Sequence, residues 1–491
     1  MIKGDKIIVK KAEKKKAVIK MNSANTLYNI FTELCSLIIR SCHDELIFVR
    51  CTCISEDLKY RIKQDMSEHS GLKFDVHENA AGSSRLAVRC LTADDLNETL
   101  YSTLREYISQ LDERSDIYGM IGLAQSLDEA MRVILLEELH KFQEDSFSVV
   151  LNSNRESTGI GLLPRCSCIW ERRHRLSHSY NRLDNFLCNI LLIENRIIDD
   201  LIDKHIFLKN DMFPELAARR SIRIAASPLR REPHFTLDCY TRENIRYSSV
   251  TYDRTTFMKD NEAVWDKLVK ASEHGCDIMV FPELLGNPDT EAYISNKLRL
   301  LSEEEQRQMP SLIVLPSVLY GQANNVTLLD STGEIICRQS KQNPHRLEKN
   351  GCYYLEDIRK SHVVSILHYE GLGRIAVLIC RDFISTRYME QLMRCFKLTL
   401  IIVPSYSTGS YDFRQSFDLC AHDDCNVIWI NTCAAFTEGK EDNFRHIGYV
   451  RKRIGRNDDE SQRLCEMPVC REAFTGQCAH DCLFFETIQG V

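Results

Sequence analysis

From about His234 to Thr432, short apolar runs alternate with stretches of helical length, and no other feature restricts the fold of this chain as strongly. The β-rich runs are Ile245–Thr251, Asp277–Phe281, Ser311–Tyr320, Val326–Leu329, Ile335–Gln339, Val363–Tyr369, Arg374–Ile379, Leu398–Val403 and Val427–Thr432. Between them, Asn261–His274, Glu291–Arg307, Ser385–Phe396 and Phe413–Cys425 read as helices. Such alternation makes an α/β fold. Ser331 to Glu334 (STGE) reads as a hairpin turn within Val318–Gln339, so the sheet pairing is expected to be mixed.

Three of these runs stop at a chemically useful group. Gly373 to Asp382 (GRIAVLICRD) is apolar from Ile375 to Ile379 and ends at Cys380. A buried strand that halts at a thiol and then turns polar is a place for a nucleophile. A helix starting there is expected to favour the thiolate through its dipole. Asp277 to Glu283 (DIMVFPE) ends in a carboxylate, and Pro282 takes the chain out of the ladder. Partial desolvation at an apolar edge raises a carboxylate pKa toward that of a general base. Lys341 follows Ile335–Gln339, and an ammonium beside a reacting carbonyl stabilises developing negative charge. Taken singly, each group has a duller reading: a boundary Glu, a solvated Lys, an inert core thiol.

The order of the three resembles the nitrilase, or carbon–nitrogen hydrolase, superfamily. The matching strings are Phe281-Pro282-Glu283, Lys341 and Ile379-Cys380-Arg381-Asp382. Leu400–Ser405, Arg414–Thr432 and His446–Gly448 are similar to downstream family segments, and Asn261–Pro282 to an upstream one. The resemblance implies an α-β-β-α sandwich for the C-terminal half. It also implies a second glutamate that positions the Lys, for which Glu356 is preferred over Glu348. The implied chemistry is hydrolysis of an amide, carbamoyl or nitrile carbon–nitrogen bond through a thioester on Cys380, amidase-like more than a true nitrilase. It needs no cofactor and no metal.

The chain departs from the family at Arg381, where an aromatic residue is common, at Asp423-Asp424-Cys425 in place of Glu-Asn, and at His446-Ile-Gly-Tyr449. Arg381 is a candidate substrate-binding residue for an acidic group. A small amide-like substrate and a homo-oligomer are expected, with a protein partner for the N-terminal half. A nitrilase-fold module serving a defence or signalling assembly, with catalysis secondary or absent, is the alternative.

The expected organisation is a basic arm (1–20), a small α/β unit (21–112), a mainly helical region (113–218), an Arg-rich linker (219–233), the nitrilase-like domain (234–456) and a Cys-rich tail (457–491). Within the small unit, Glu45 to Cys53 (ELIFVRCTC) reads as a strand; within the helical region, His178 to Phe207 carries a helical stripe interrupted by Glu194. In the tail, Cys465, Cys470, Cys478 and Cys482 lack the paired knuckles of zinc ribbons, and no metal site is assigned.

Composition narrows the classes further. A formal net charge of −7 makes nucleic-acid binding an unfavoured reading. No apolar run is long enough to span a bilayer, and no apolar segment follows the basic Lys10–Lys20. The 21 cysteines are therefore expected as reduced thiols in a cytoplasm.

Overall fold

The structure, a computed structural model, describes residues 24–42, 44–78, 84–145, 150–171, 182–230, 232–436, 444–452, 464–470 and 481–490. The expected basic arm lies outside these residues, as do Cys478 and His480 of the tail. The chain forms a mixed α/β protein of two compact units. One comprises Met1–Arg165 and Arg173–Asp199, the other Cys166–Arg172 and Asp200–Val491.

In the first unit, helices run over 24–41, Asp44–Cys53, Glu56–His69, Glu98–Glu113, Ile117–Ala130 and Arg132–Asp145. Ser55 and Asn97 start two of them by accepting Leu58 N and Leu100 N. Antiparallel pairs join Phe74–Glu78 to Ser84–Val88 and Ile160–Pro164 to Ile190–Glu194. Leu27, Phe31, Leu104, Leu123, Leu127 and Ile190 share one apolar core.

Two expectations fail in this part of the chain. Glu45–Cys53 lies in a helix, not a strand: Ile47, Phe48 and Cys51 face the core at helical spacing, whereas Leu46 and Val49 are exposed. His178–Phe207 is not a helix. Its described part contains the strands Ile190–Glu194 and Ile202–Phe207, linked by a single helical turn. All five residues of Ile190–Glu194 are buried. A continuous apolar run of that kind imitates a helical stripe when sampled at every third or fourth position. Glu194, which broke the stripe, ends the strand and pairs with the buried Arg182 at 2.6 Å.

Among the described residues, the second unit contains two seven-stranded sheets and one of four strands. The first large sheet runs in the order Val318–Tyr320, Ala323–Asp330, Leu312–Val314, Ile278–Val280, Ser221–Ala226, Phe484–Gln489, and Ile335–Ser340 also pairs with Ala323–Asp330. The other runs Leu464–Pro468, His446–Arg451, Asn426–Ile430, Leu400–Pro404, Gly373–Val377, Val363–Tyr369, Ile202–Phe207. Each has parallel central strands; the first has antiparallel margins, whereas in the second the edge strand Ile202–Phe207 pairs in parallel with Val363–Tyr369. The small sheet pairs Arg346–Lys349, Cys352–Glu356, Ile245–Tyr252 and Phe235–Arg242. Its hairpin turns at Glu243-Asn244, both with positive φ, as a two-residue type I′ turn requires.

The 219–233 segment is not a linker. Ile222, Ile224, Ala225 and Ala226 are buried in a strand between Ile278–Val280 and Phe484–Gln489. Arg223 is the exposed residue of that strand, and just before it Arg219 pairs with Asp277. The end of the chain is likewise more than a tail, since Leu464–Pro468 and Phe484–Gln489 each complete a large sheet.

Arg374 is fully buried in the strand that leads to Cys380. It donates to Lys397 O at 2.7 Å and Cys166 O at 2.9 Å, and pairs with Glu171 at 3.0 Å. These bonds hold residues 166–171 on the second unit. Replacing one member of a buried, hydrogen-bonded pair strands the rest without water. Arg374→Met is expected to destabilise the protein by about 3–5 kcal/mol, read as a lower denaturation midpoint in urea.

Candidate active site

The site is assembled from loops that follow strands of both large sheets and of the small sheet. Glu283 lies just beyond Ile278–Val280, Lys341 just beyond Ile335–Ser340, and Cys380 just beyond Gly373–Val377. Glu356 is the last residue of Cys352–Glu356. Open α/β sheets place reactive groups at such carboxyl ends. Glu283 N donates to Ser405 O at 3.3 Å, and Cys380 N to Pro404 O at 2.9 Å. The end of Leu400–Pro404 therefore anchors both the carboxylate and the thiol.

Glu283, Lys341, Glu356 and Cys380 form one buried cluster, none more than 7% exposed. Lys341 Nζ donates to Glu283 Oε1 at 2.7 Å and to Glu356 Oε2 at 2.6 Å. Asn324 Nδ2 donates to the same two carboxylates, at 2.8 and 3.0 Å. Tyr406 N donates to Glu283 Oε2 at 2.8 Å, and His345 N to Glu356 Oε2 at 2.9 Å. The Cys380 thiol donates to Tyr406 O at 3.9 Å and lies within reach of the Glu283 charge. Glu348, the other candidate for the second glutamate, is exposed on Arg346–Lys349.

Environment separates the two carboxylates. Burial, together with the charge of Glu356, raises the Glu283 pKa against the pull of Lys341. Glu356 is also buried, but Lys341, His345 N and Asn324 outweigh that effect and lower its pKa. Lys341 loses hydration, yet the two carboxylates hold it protonated. One carboxylate is thus kept as an anion while its neighbour is ready to take a proton. Such divergence separates a structural acid from a catalytic base.

The thiol differs from expectation. Burial, followed by the Glu283 charge, pushes its pKa up, opposed by Lys341. The helix after it is a single turn, Arg381–Ile384, too short to favour a thiolate as expected. Resting Cys380 is therefore a neutral thiol beside a base. Its backbone has φ 47° and ψ −100°, a sparsely populated conformation for a side-chain-bearing residue. Pairing with Pro404 O and the turn after it hold the residue there.

Two contributors escaped the sequence reading. Asn324 offered no signal, being one of two adjacent Asn in an ordinary strand. Asp382 was visible in the Cys-x-Asp string without an assigned role. Its buried carboxylate accepts Gln342 N, Asn343 N and Asn343 Nδ2 at 3.0, 2.7 and 2.9 Å. Arg381 is exposed and makes no ion pair with a described residue, although its charge acts on His345. Among the described residues, no group of three or more His, Cys, Asp or Glu is placed to hold a metal, and no helix is long and apolar enough to cross a membrane.

No protein-family model and no curated protein matches the chain. Solved structures do. A glutamine mutant of the amidase from Nesterenkonia sp. AN1, with acrylamide added at its active-site cysteine, is 14% identical over 47% of this chain and 85% of its own, at a TM-score of 0.34. A second amidase structure from Nesterenkonia sp. is 16% identical over 43% and 76%, at 0.31. The C. elegans NitFhit protein is 14% identical over 55% and 61%, at 0.34.

Lys341 is the only cation in contact with the Glu283 and Glu356 carboxylates among the described residues. Lys341→Met leaves two buried carboxylates facing each other, and a loss of about 3–5 kcal/mol is expected near neutral pH. Glu283, its pKa already raised, then titrates higher still. Its protonation removes the unpaired charge, so the loss shrinks as pH falls through that value. Urea denaturation of wild type and variant at about pH 8 and about pH 5.5 checks both parts.

Proposed function

We propose that this chain is a thiol-dependent hydrolase of non-peptide carbon–nitrogen bonds, with a nitrilase-like α-β-β-α sandwich in its second unit. The observation that carries this reading is the buried cluster in which a strained, neutral Cys380 thiol lies beside Glu283, itself bonded to Lys341. A salt bridge serving stability alone has no use for a thiol held against a carboxylate of raised pKa.

The reaction begins as Glu283 takes the Cys380 proton while sulfur attacks the amide carbon. Negative charge develops on the substrate oxygen, where the Lys341 ammonium and the Arg381 backbone N–H stabilise it. The carbon–nitrogen bond breaks, the proton on Glu283 passes to the leaving nitrogen, and ammonia or an amine departs. A thioester remains on Cys380. Glu283 then deprotonates a water, which hydrolyses the thioester and regenerates the thiol. Glu356 and Asn324 touch no reacting atom and fix Lys341 and Glu283 in place.

Arg381 supports an acidic substrate. It follows the nucleophile directly, is exposed, and has no carboxylate partner among the described residues. A guanidinium in that position recognises a carboxylate at the far end of a small amide. The first unit is proposed as an accessory region that meets a protein partner, in a homo-oligomeric protein.

Cys380→Ala and Glu283→Gln are each expected to lower kcat/KM by roughly a thousandfold or more while the far-ultraviolet circular dichroism stays unchanged. Arg381→Ala is expected to raise KM about tenfold for amides bearing a carboxylate and to leave neutral amides little changed. A panel of amides, carbamoyl compounds and nitriles reads all three. Equal turnover by wild type and Cys380→Ala sinks the proposal.

A further inference from the structure

The loop that carries Lys341 and the turn that carries Cys380 belong to different sheets, so the ammonium and the thiol need a tie that fixes their separation. Asp382 sits two residues after Cys380. Its carboxylate gathers Gln342 N, Asn343 N and Asn343 Nδ2, the donors directly after Lys341. Asn343 is thus held through both backbone and side chain, and the residue before Gln342 is the site cation itself.

Building on the hydrolase site proposed above, we infer that Asp382 is a positioning residue: as an anion it binds the backbone after Lys341 to the nucleophile turn, and its protonation loosens the ammonium from the thiol. A carboxylate accepts all these donors at once, whereas a carboxylic acid converts one oxygen into a donor facing N–H groups. The hold is therefore present above the Asp382 pKa and lost as pH falls through it.

The surroundings place that transition in a useful range. Burial raises the Asp382 pKa to about 7, against the Asn343 side chain, the Lys341 charge and the two backbone N–H groups. On the helix Thr386–Phe396, burial, followed by the Asp382 charge, pushes the Tyr388 hydroxyl up. Helix Tyr411–His422 presents Phe413 and Phe417 to Phe383, the residue after Asp382. Arg381, on the other side, is exposed. Lys341 lowers the Cys380 pKa, so a displaced Lys341 leaves less thiolate.

The test uses the full chain and iodoacetamide, with alkylation of Cys380 followed by peptide mass mapping from about pH 5.5 to about pH 9. Wild type is expected to show an inflection near neutrality, above which alkylation is faster. Asp382→Asn is expected to lose the inflection and to react about tenfold more slowly near pH 8, a shift of one pKa unit in the thiol. Asp382→Glu is expected to restore part of the rate. If Asp382→Asn does not fold, Asn343→Ala serves instead. It removes one donor to the anion, so the inflection is expected to move to higher pH. A folded Asp382→Asn with the wild-type profile, or an inflection unmoved in Asn343→Ala, overturns the inference. Alkylation needs no substrate, so a failed hydrolase assignment leaves this outcome readable, and the reverse also holds.

Discussion

One buried ammonium, Lys341, holds the site together. It bridges Glu283 and Glu356, and Asn324 donates to both carboxylates as well. Taking three charges out of water costs several kcal/mol each, which close pairing and a full set of donors only offset. An apolar core of the same volume is as good for stability. The cluster is more informative about function: its geometry drives the two carboxylate pKa values in opposite directions. Glu356 is held as an anion by three sets of donors, while Glu283 is fully enclosed, repelled by Glu356 and placed against the thiol.

The rest of the second unit supplies precision. Parallel central strands in the two large sheets end beside one another, and Leu400–Pro404 passes hydrogen bonds to both Glu283 and Cys380 through Ser405 and Pro404. The sheets are also tied by Gln339, which donates to Val363 O at 3.1 Å and accepts Ser365 N at 2.9 Å. Gln342 donates to the same Val363 O and accepts His362 N. These contacts lie within a few residues of Lys341. A site built on strand ends, not on long loops, keeps its reacting atoms in place to a fraction of an ångström.

Much of this was legible in the sequence, for identifiable reasons. Helix 257–273, the strand Val363–Tyr369 and the runs ending at Glu283 and Cys380 could be read because each carries its own period or uniform apolarity. The misread elements have periods that tertiary packing overrides. Glu45–Cys53 has strand-like composition but contributes to a helical core, and Ile190–Glu194 is apolar throughout, which suits either element. Ser221–Ala226 was masked by its flanking arginines. The positioning groups Asn324 and Asp382 could not be assigned, because their roles are hydrogen bonds between strands distant in sequence, which no local pattern records.

The most direct measurement is rapid-quench mass spectrometry of the full chain mixed with a small carboxylate-bearing primary amide. The mechanism requires an adduct equal to the amide less ammonia, mapped to the peptide containing Cys380, that forms as ammonia is released and is absent from Cys380→Ala. Ammonia release with no such adduct on Cys380, or release that continues unchanged in Cys380→Ala, contradicts it.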